Sequence, residues 1–192
     1  MNRAAAAEKI ISVEEYLAGE EAAEVKHEYL GGVVYAMAGA TNAHNRIAGN
    51  VQGSLYMQLR GQRCQPFNSD TKPRVQFPDH TRFYYPDVQV VCRQNPDSDH
   101  FQDEPVVIIE VASASTRRTD EQEKRLAYFQ LPSLRAYVLI DQQAIAATIW
   151  RRRERGFVRE DHTDRAAIIA LDEIGAQLAL ADVYEGVTPE AA

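Results

Sequence analysis

The sequence predicts an α/β or α+β domain built on a mixed β-sheet flanked by helices. Three observations carry this reading. Residues 105–112, PVVIIEVA, are a continuous apolar run bounded by turn chemistry, the mark of a strand buried on both faces. Residues 43–60 place Ile47, Val51, Leu55 and Leu59 four positions apart, one buried stripe of a helix. AYVLID (136–141) and IAATIWRR (145–152) then read as two further strands, separated from 105–112 by a helical stretch.

The remaining elements follow in chain order. Residues 12–24 predict a helix, with Ser12 as N-cap and Glu15 at the capping-box spacing. KHEYL and VVYAM flank Gly31-Gly32 as a β-hairpin. Thr41-Asn42 caps the helix over 43–60. Residues 64–77 hold β-type pieces restricted by Pro66 and Pro73, and VQVVC after Pro86-Asp87 is another strand. The polar segment 93–104 predicts a solvent loop. Residues 116–130 predict a helix stopped by Leu131-Pro132. RERG suggests a hairpin turn, and AIIAL and ALADVY are apolar pieces near the end. The 192 residues suit one domain over 1–192, with a core at about 12–185.

Composition narrows the functional classes. Hydrophobic residues at 45% and charged residues at 26% exclude a disordered chain. No apolar run approaches the ~20 residues a membrane span requires, and Met1–Ile11 has no signal-peptide pattern. A cytoplasmic setting is therefore expected, with Cys64 and Cys92 unbridged. Two cysteines cannot build a four-thiolate zinc site, and the five histidines lack His-Glu-x-x-His spacing. No Gly-x-Ser-x-Gly elbow or Gly-rich phosphate loop is present. The net charge of −7 argues against non-specific coating of nucleic acid. It does not exclude an enzyme that cuts nucleic acid, because such a metal site is itself acidic.

Glu110 is the oddest residue, a lone carboxylate in the most apolar strand. Burying it is costly unless a cation or donors compensate. It is a strand-end glutamate paired with an arginine, one that merely emerges into solvent, or a metal ligand aimed by rigid backbone. Asp87, stiffened by Pro86 at the opening of a strand, favours the metal-ligand reading. Two carboxylates on adjacent strands can share a hard cation such as magnesium.

Pro86-Asp87 followed by Glu110 resembles the PD-(D/E)xK phosphodiesterase superfamily. The wider blocks KHEYLGGVVYAMAGAT, HNRIAGN, SDTKPRV, YYPDVQVVC, VIIEVASASTRRTDEQEK and AYFQLPSLRAYVLID resemble the Uma-type family of bacterial proteins classed as restriction endonucleases. The resemblance covers about residues 12 to 150. It implies a restriction-endonuclease-like core, a Mg2+- or Mn2+-dependent endonuclease acting on DNA, and an acidic metal centre. Glu28 and Asp70 would join Asp87 and Glu110 there.

One departure stands out. The superfamily lysine two positions after the second acid is replaced by Ala112. Some superfamily members carry that cation on a neighbouring helix, and by resemblance Lys124 takes the role, with Tyr128 one turn beyond on the same face. Asp87, Glu110, Lys124 and Glu28 are thus the expected catalytic set. His44 and Arg46 at a helix start, Ser113 after Glu110, and Tyr128 are the expected substrate contacts. A homodimer would suit cutting both strands. The loss of the Glu-x-Lys lysine leaves an inactive DNA-binding or regulatory module as the rival, and a hydrolase of small phosphodiesters as a further one. The Arg151–Arg153 run reads either as a phosphate grip or as a solvated hairpin tip.

Overall fold

The computed structural model describes residues 10–113 and 119–189, with backbone only at 119–121. Its centre is a six-stranded sheet in the order β11-β10-β9-β8-β6-β3. The strands are β3 (Gln65–Asn68), β6 (Val88–Val91), β8 (Pro105–Ala112), β9 (Ala136–Asp141), β10 (Ala147–Arg153) and β11 (Gly156–His162). β8 pairs antiparallel with β6 and parallel with β9. A five-stranded sheet, β2-β1-β5-β4-β7, lies beside it. It contains β1 (His27–Leu30), β2 (Val33–Ala36), β4 (Lys72–Gln76), β5 (Thr81–Phe83) and β7 (Phe101–Gln102). A small β12-β13 hairpin (Ile168–Leu171 and Ala176–Ala179) precedes the last helix, α4 (Leu180–Val183).

β8 is buried on both faces, as its composition expects. Val107, Ile109 and Val111 point to one side, against the Ile47, Val51, Leu55 and Leu59 stripe of α2 (Asn42–Leu59) and the C-terminal hairpin. Ile108 and Ala112 point to the other, toward Tyr84, Tyr128, Tyr137 and Leu139. Each fully buried Leu or Ile of this kind contributes roughly 1.5–3 kcal/mol. The period-two alternation leaves Glu110 on the second face.

Local signals hold up at several ends. Ser12 and Glu15 form the reciprocal capping box of α1 (Val13–Glu21), which stops earlier than expected. The Thr41 side chain accepts from the His44 N–H at the start of α2. Gly31 and Gly32 turn the β1-β2 hairpin at φ of 60° and 105°, where a side chain is strained.

Four expectations are corrected. The 93–104 segment is not wholly loop, since β7 pairs parallel with Lys72 and Pro73 of β4. The helix expected over 116–130 is, within the described residues, a π-helical turn (Thr119–Lys124) running into the short α3 (Arg125–Tyr128). Its first residues, 116–118, lie outside the described residues.

Cys64 and Cys92 are disulfide-bonded. The β3-β6 register pairs Gln65 with Val91, so one step further sets the two cysteines opposite each other. Geometry, not compartment, decided that pairing.

The arginine run is neither a phosphate grip nor a solvated tip along its whole length. Arg151 is buried, donating to Glu160, Glu173 and the Ala170 carbonyl. Arg152 donates to the carbonyls of Phe129, Leu131 and Leu134. Arg151 thus stitches the C-terminal elements to β10, and Arg152 the segment that follows α3.

Candidate active site

Glu110 is only 4% exposed, so its charge needs partners. The Tyr128 hydroxyl donates to Oε1 at 2.9 Å, and the Lys124 ammonium lies 3.4 Å from the same oxygen. On the other oxygen, Oε2, the Asp87 backbone N–H donates at 3.3 Å. Burial, reinforced by the Glu110 charge, holds the Tyr128 hydroxyl well above its usual range. It therefore stays protonated at neutral pH and remains a donor.

Asp87 reaches the same face through strand register. Val88 pairs with Ile109, so one step further sets Asp87 opposite Glu110, and opposite residues share a face. The contact is reciprocal, because Asp87 Oδ2 accepts from the Val111 N–H at 2.7 Å. His44 Nε2, at the start of α2, lies 3.2 Å from the same oxygen. Asp87 Oδ1 accepts no hydrogen bond from any described residue.

Lys124 ends the π-helical turn and is 12% exposed at its side chain. Its ammonium stands between Glu28 at 3.0 Å and Glu110 at 3.4 Å. Lys124 thus reaches Glu110 from the helix that follows β8, while Ala112 occupies the strand position two residues after the glutamate. Glu28 Oε1, although buried beside that ammonium, makes no hydrogen bond of good geometry.

Beneath Lys124 lies Tyr84, which sequence reasoning did not single out. The β1-β5 register pairs Tyr29 with Phe83, so Tyr84 continues that ladder opposite Glu28. Its ring is fully buried, centred 5.9 Å from the Lys124 ammonium and edge-on to Tyr128 at 5.4 Å. It lies just after β5, and the register reveals its place.

The other expected residues divide. Arg46 is exposed at the α2 start and its guanidinium lies over Gly186. Ser113 is half-buried just after β8. Asp70 stands apart: it sits on the β3-β4 turn, paired with Lys26 and Asn68, and no contact joins it to Asp87, Glu110 or Lys124. The Lys26 ammonium beside it holds its carboxyl below the usual range. Lys72 is buried elsewhere, donating to Tyr85, whose hydroxyl in turn donates to Glu20. Burial pushes the Lys72 ammonium down from its ordinary value.

The chain is similar to known proteins along most of its length. A family model, Uma2, described as "Putative restriction endonuclease", matches residues 13–181. The chain belongs to the Uma2 family. Two relatives come from Synechocystis sp. One, "Uncharacterized protein slr1290", is 30% identical over 92% of this chain and 93% of its own length. The other, "Uncharacterized protein sll1609", is 34% identical over 70% of this chain and 76% of its own. A crystal structure from Anabaena variabilis, titled as a putative nuclease belonging to DUF820, shares the fold. Its TM-score is 0.67 at 17% identity, covering 85% of this chain and 92% of that one.

Uma2 membership raises the question of a metal, which restriction-endonuclease-like nucleases generally require. Among the described residues no group of three or more His, Cys, Asp or Glu side chains is gathered to hold one. A three-carboxylate cage is therefore not preassembled among the described residues. Magnesium does not need one, since it commonly takes one or two carboxylates and completes its shell with water and substrate phosphate. Asp87 and Glu110, on one face with Asp87 Oδ1 accepting no hydrogen bond from the described residues, fit that mode.

Proposed function

We propose that this Uma2-family chain is a divalent-metal-dependent endonuclease hydrolysing phosphodiester bonds in DNA. The observation that carries the reading is the Lys124 ammonium within reach of Glu110, on the face that Asp87 shares. Without that ammonium, Ala112 would leave the site short of its cation, and the inactive-module reading would prevail.

Asp87 and Glu110 would hold Mg2+ or Mn2+, which when bound acidifies a water and offsets charge on the phosphate. Tyr128 and the Asp87 N–H fix the Glu110 carboxylate, so it presents its lone pairs without reorganising. Val111 fixes Asp87 from the opposite strand. Lys124 supplies a preorganised positive charge for the developing phosphorane oxygens or orients the attacking water. Glu28 holds Lys124 in place. His44, at the start of α2 beside Asp87, would contact a substrate phosphate. Two copies acting together would sever both strands.

The test is incubation of supercoiled plasmid with the protein in Mg2+, Mn2+ or EDTA, beside a small chromogenic phosphodiester. Metal-dependent nicking that is abolished in Glu110→Gln is the expected result. Turnover of the small diester with intact plasmid would replace DNA as the substrate. No turnover of either would return the chain to a binding role.

A further inference from the structure

We propose that Tyr84 is a positioning residue for Lys124, holding the ammonium through its ring and the preceding residue through its hydroxyl. The inference rests on the nuclease reading for its meaning, but its geometry stands on separate contacts. The Tyr84 hydroxyl donates to Glu123 Oε1 at 3.2 Å and accepts from Arg82 Nη1 at 3.2 Å. Arg82 Nη1 lies 3.9 Å from the same Glu123 carboxylate, closing a three-membered polar cluster. The Tyr84 ring centre is 5.9 Å from Lys124 Nζ, within the range where an aromatic face attracts a cation.

One side chain just after β5 thus grips two consecutive residues of the π-helical turn. The described helix continuing from it is four residues long, and one such turn is marginal by itself. A lysine carried on it needs its direction fixed from outside. Glu28, opposite Tyr84 by register, draws the ammonium from above while the ring supports it from below. Arg82 is itself held, donating from Nε to His80 and lying 4.9 Å over the Phe77 ring. The tether therefore runs from the β4-β5 hairpin to Lys124.

A role confined to packing predicts something different from a positioning role. Tyr84→Phe keeps the ring and volume but cuts the hydroxyl link to Glu123. Loss of one such hydrogen bond predicts about a tenfold fall in kcat with KM for DNA unchanged. Glu123→Gln should weaken the same link, and the double variant should be no slower than the worse single one.

The second readout needs no activity. An amine-acylating reagent followed by mass spectrometry should label Lys124 several-fold faster in Tyr84→Phe and in Glu123→Gln, with Lys26 labelling unchanged. If the wild-type protein cuts nothing yet Lys124 labelling rises in both variants, the nuclease reading falls and the positioning role stands. Multiplying kinetic effects in the double variant would overturn it, as would unchanged Lys124 labelling in both single variants.

Discussion

The Tyr128 hydroxyl donates to Glu110 at 2.9 Å from one helical turn beyond Lys124, so a single helix face serves one carboxylate with two donors. Tyr128→Phe removes the shorter of the two contacts from a buried charge. A loss of about 1–3 kcal/mol in stability is expected, because the Glu110 oxygen loses a buried partner. Chemical denaturation checks it, and plasmid nicking by the same variant should slow as Glu110 loses its fixed orientation.

Lys124 separates charge from shape. Lys124→Ala should abolish most cleavage while leaving metal affinity nearly unchanged. Stability should fall, since Glu28 and Glu110 are left without the cation that stands between them. Lys124→Arg should restore little, since a planar guanidinium cannot sit between two carboxylates as a compact ammonium does. Single-turnover nicking assays with a metal titration distinguish these outcomes, and wild-type cleavage by Lys124→Ala would remove the residue from the site.

The Cys64–Cys92 bridge ties β3 to β6 across a sequence separation of 28 residues. Closing a loop of that size stabilises by about 3–4 kcal/mol in the chain-entropy picture. Dithiothreitol should therefore lower the melting temperature of the wild-type protein, and should leave a Cys64→Ser, Cys92→Ser variant unaffected. Thiol titration in denaturant without reductant should find no free sulfhydryl.

Burial raises the ionisation of Tyr16, Tyr84, Tyr85 and Tyr128 above the ordinary phenol range. In the unfolded chain these phenols lose protons near pH ~10, while in the folded chain they keep them. The folded state then binds more protons, so stability falls as pH rises above that point and is fully present below it. Melting temperature should hold until about pH 10 and then drop, with phenolate absorbance rising together with unfolding.

Much of this was legible in the residues. An isolated glutamate in PVVIIEVA announced itself by its cost, and the capping box and the four-residue stripe of α2 carried their own boundaries. What stayed hidden depended on register and on partners distant in sequence. β7 is two residues long and exists only because Lys72 and Pro73 pair with it. Arg151 looked like part of a solvated charge run until Glu160 and Glu173 came in from later elements. Tyr84 and Asp70 show the same limit in opposite directions. Register carried an unremarked tyrosine into the site, and a turn paired the expected aspartate with Lys26 instead.

The most direct measurement is anomalous diffraction from a crystal soaked in Mn2+, collected at the manganese edge. A peak within coordination distance of both Asp87 and Glu110, lost in Glu110→Gln, is the result this account predicts. A well-diffracting soaked crystal with no peak between those two carboxylates, or with its peak at the Asp70–Lys26 turn instead, would contradict it.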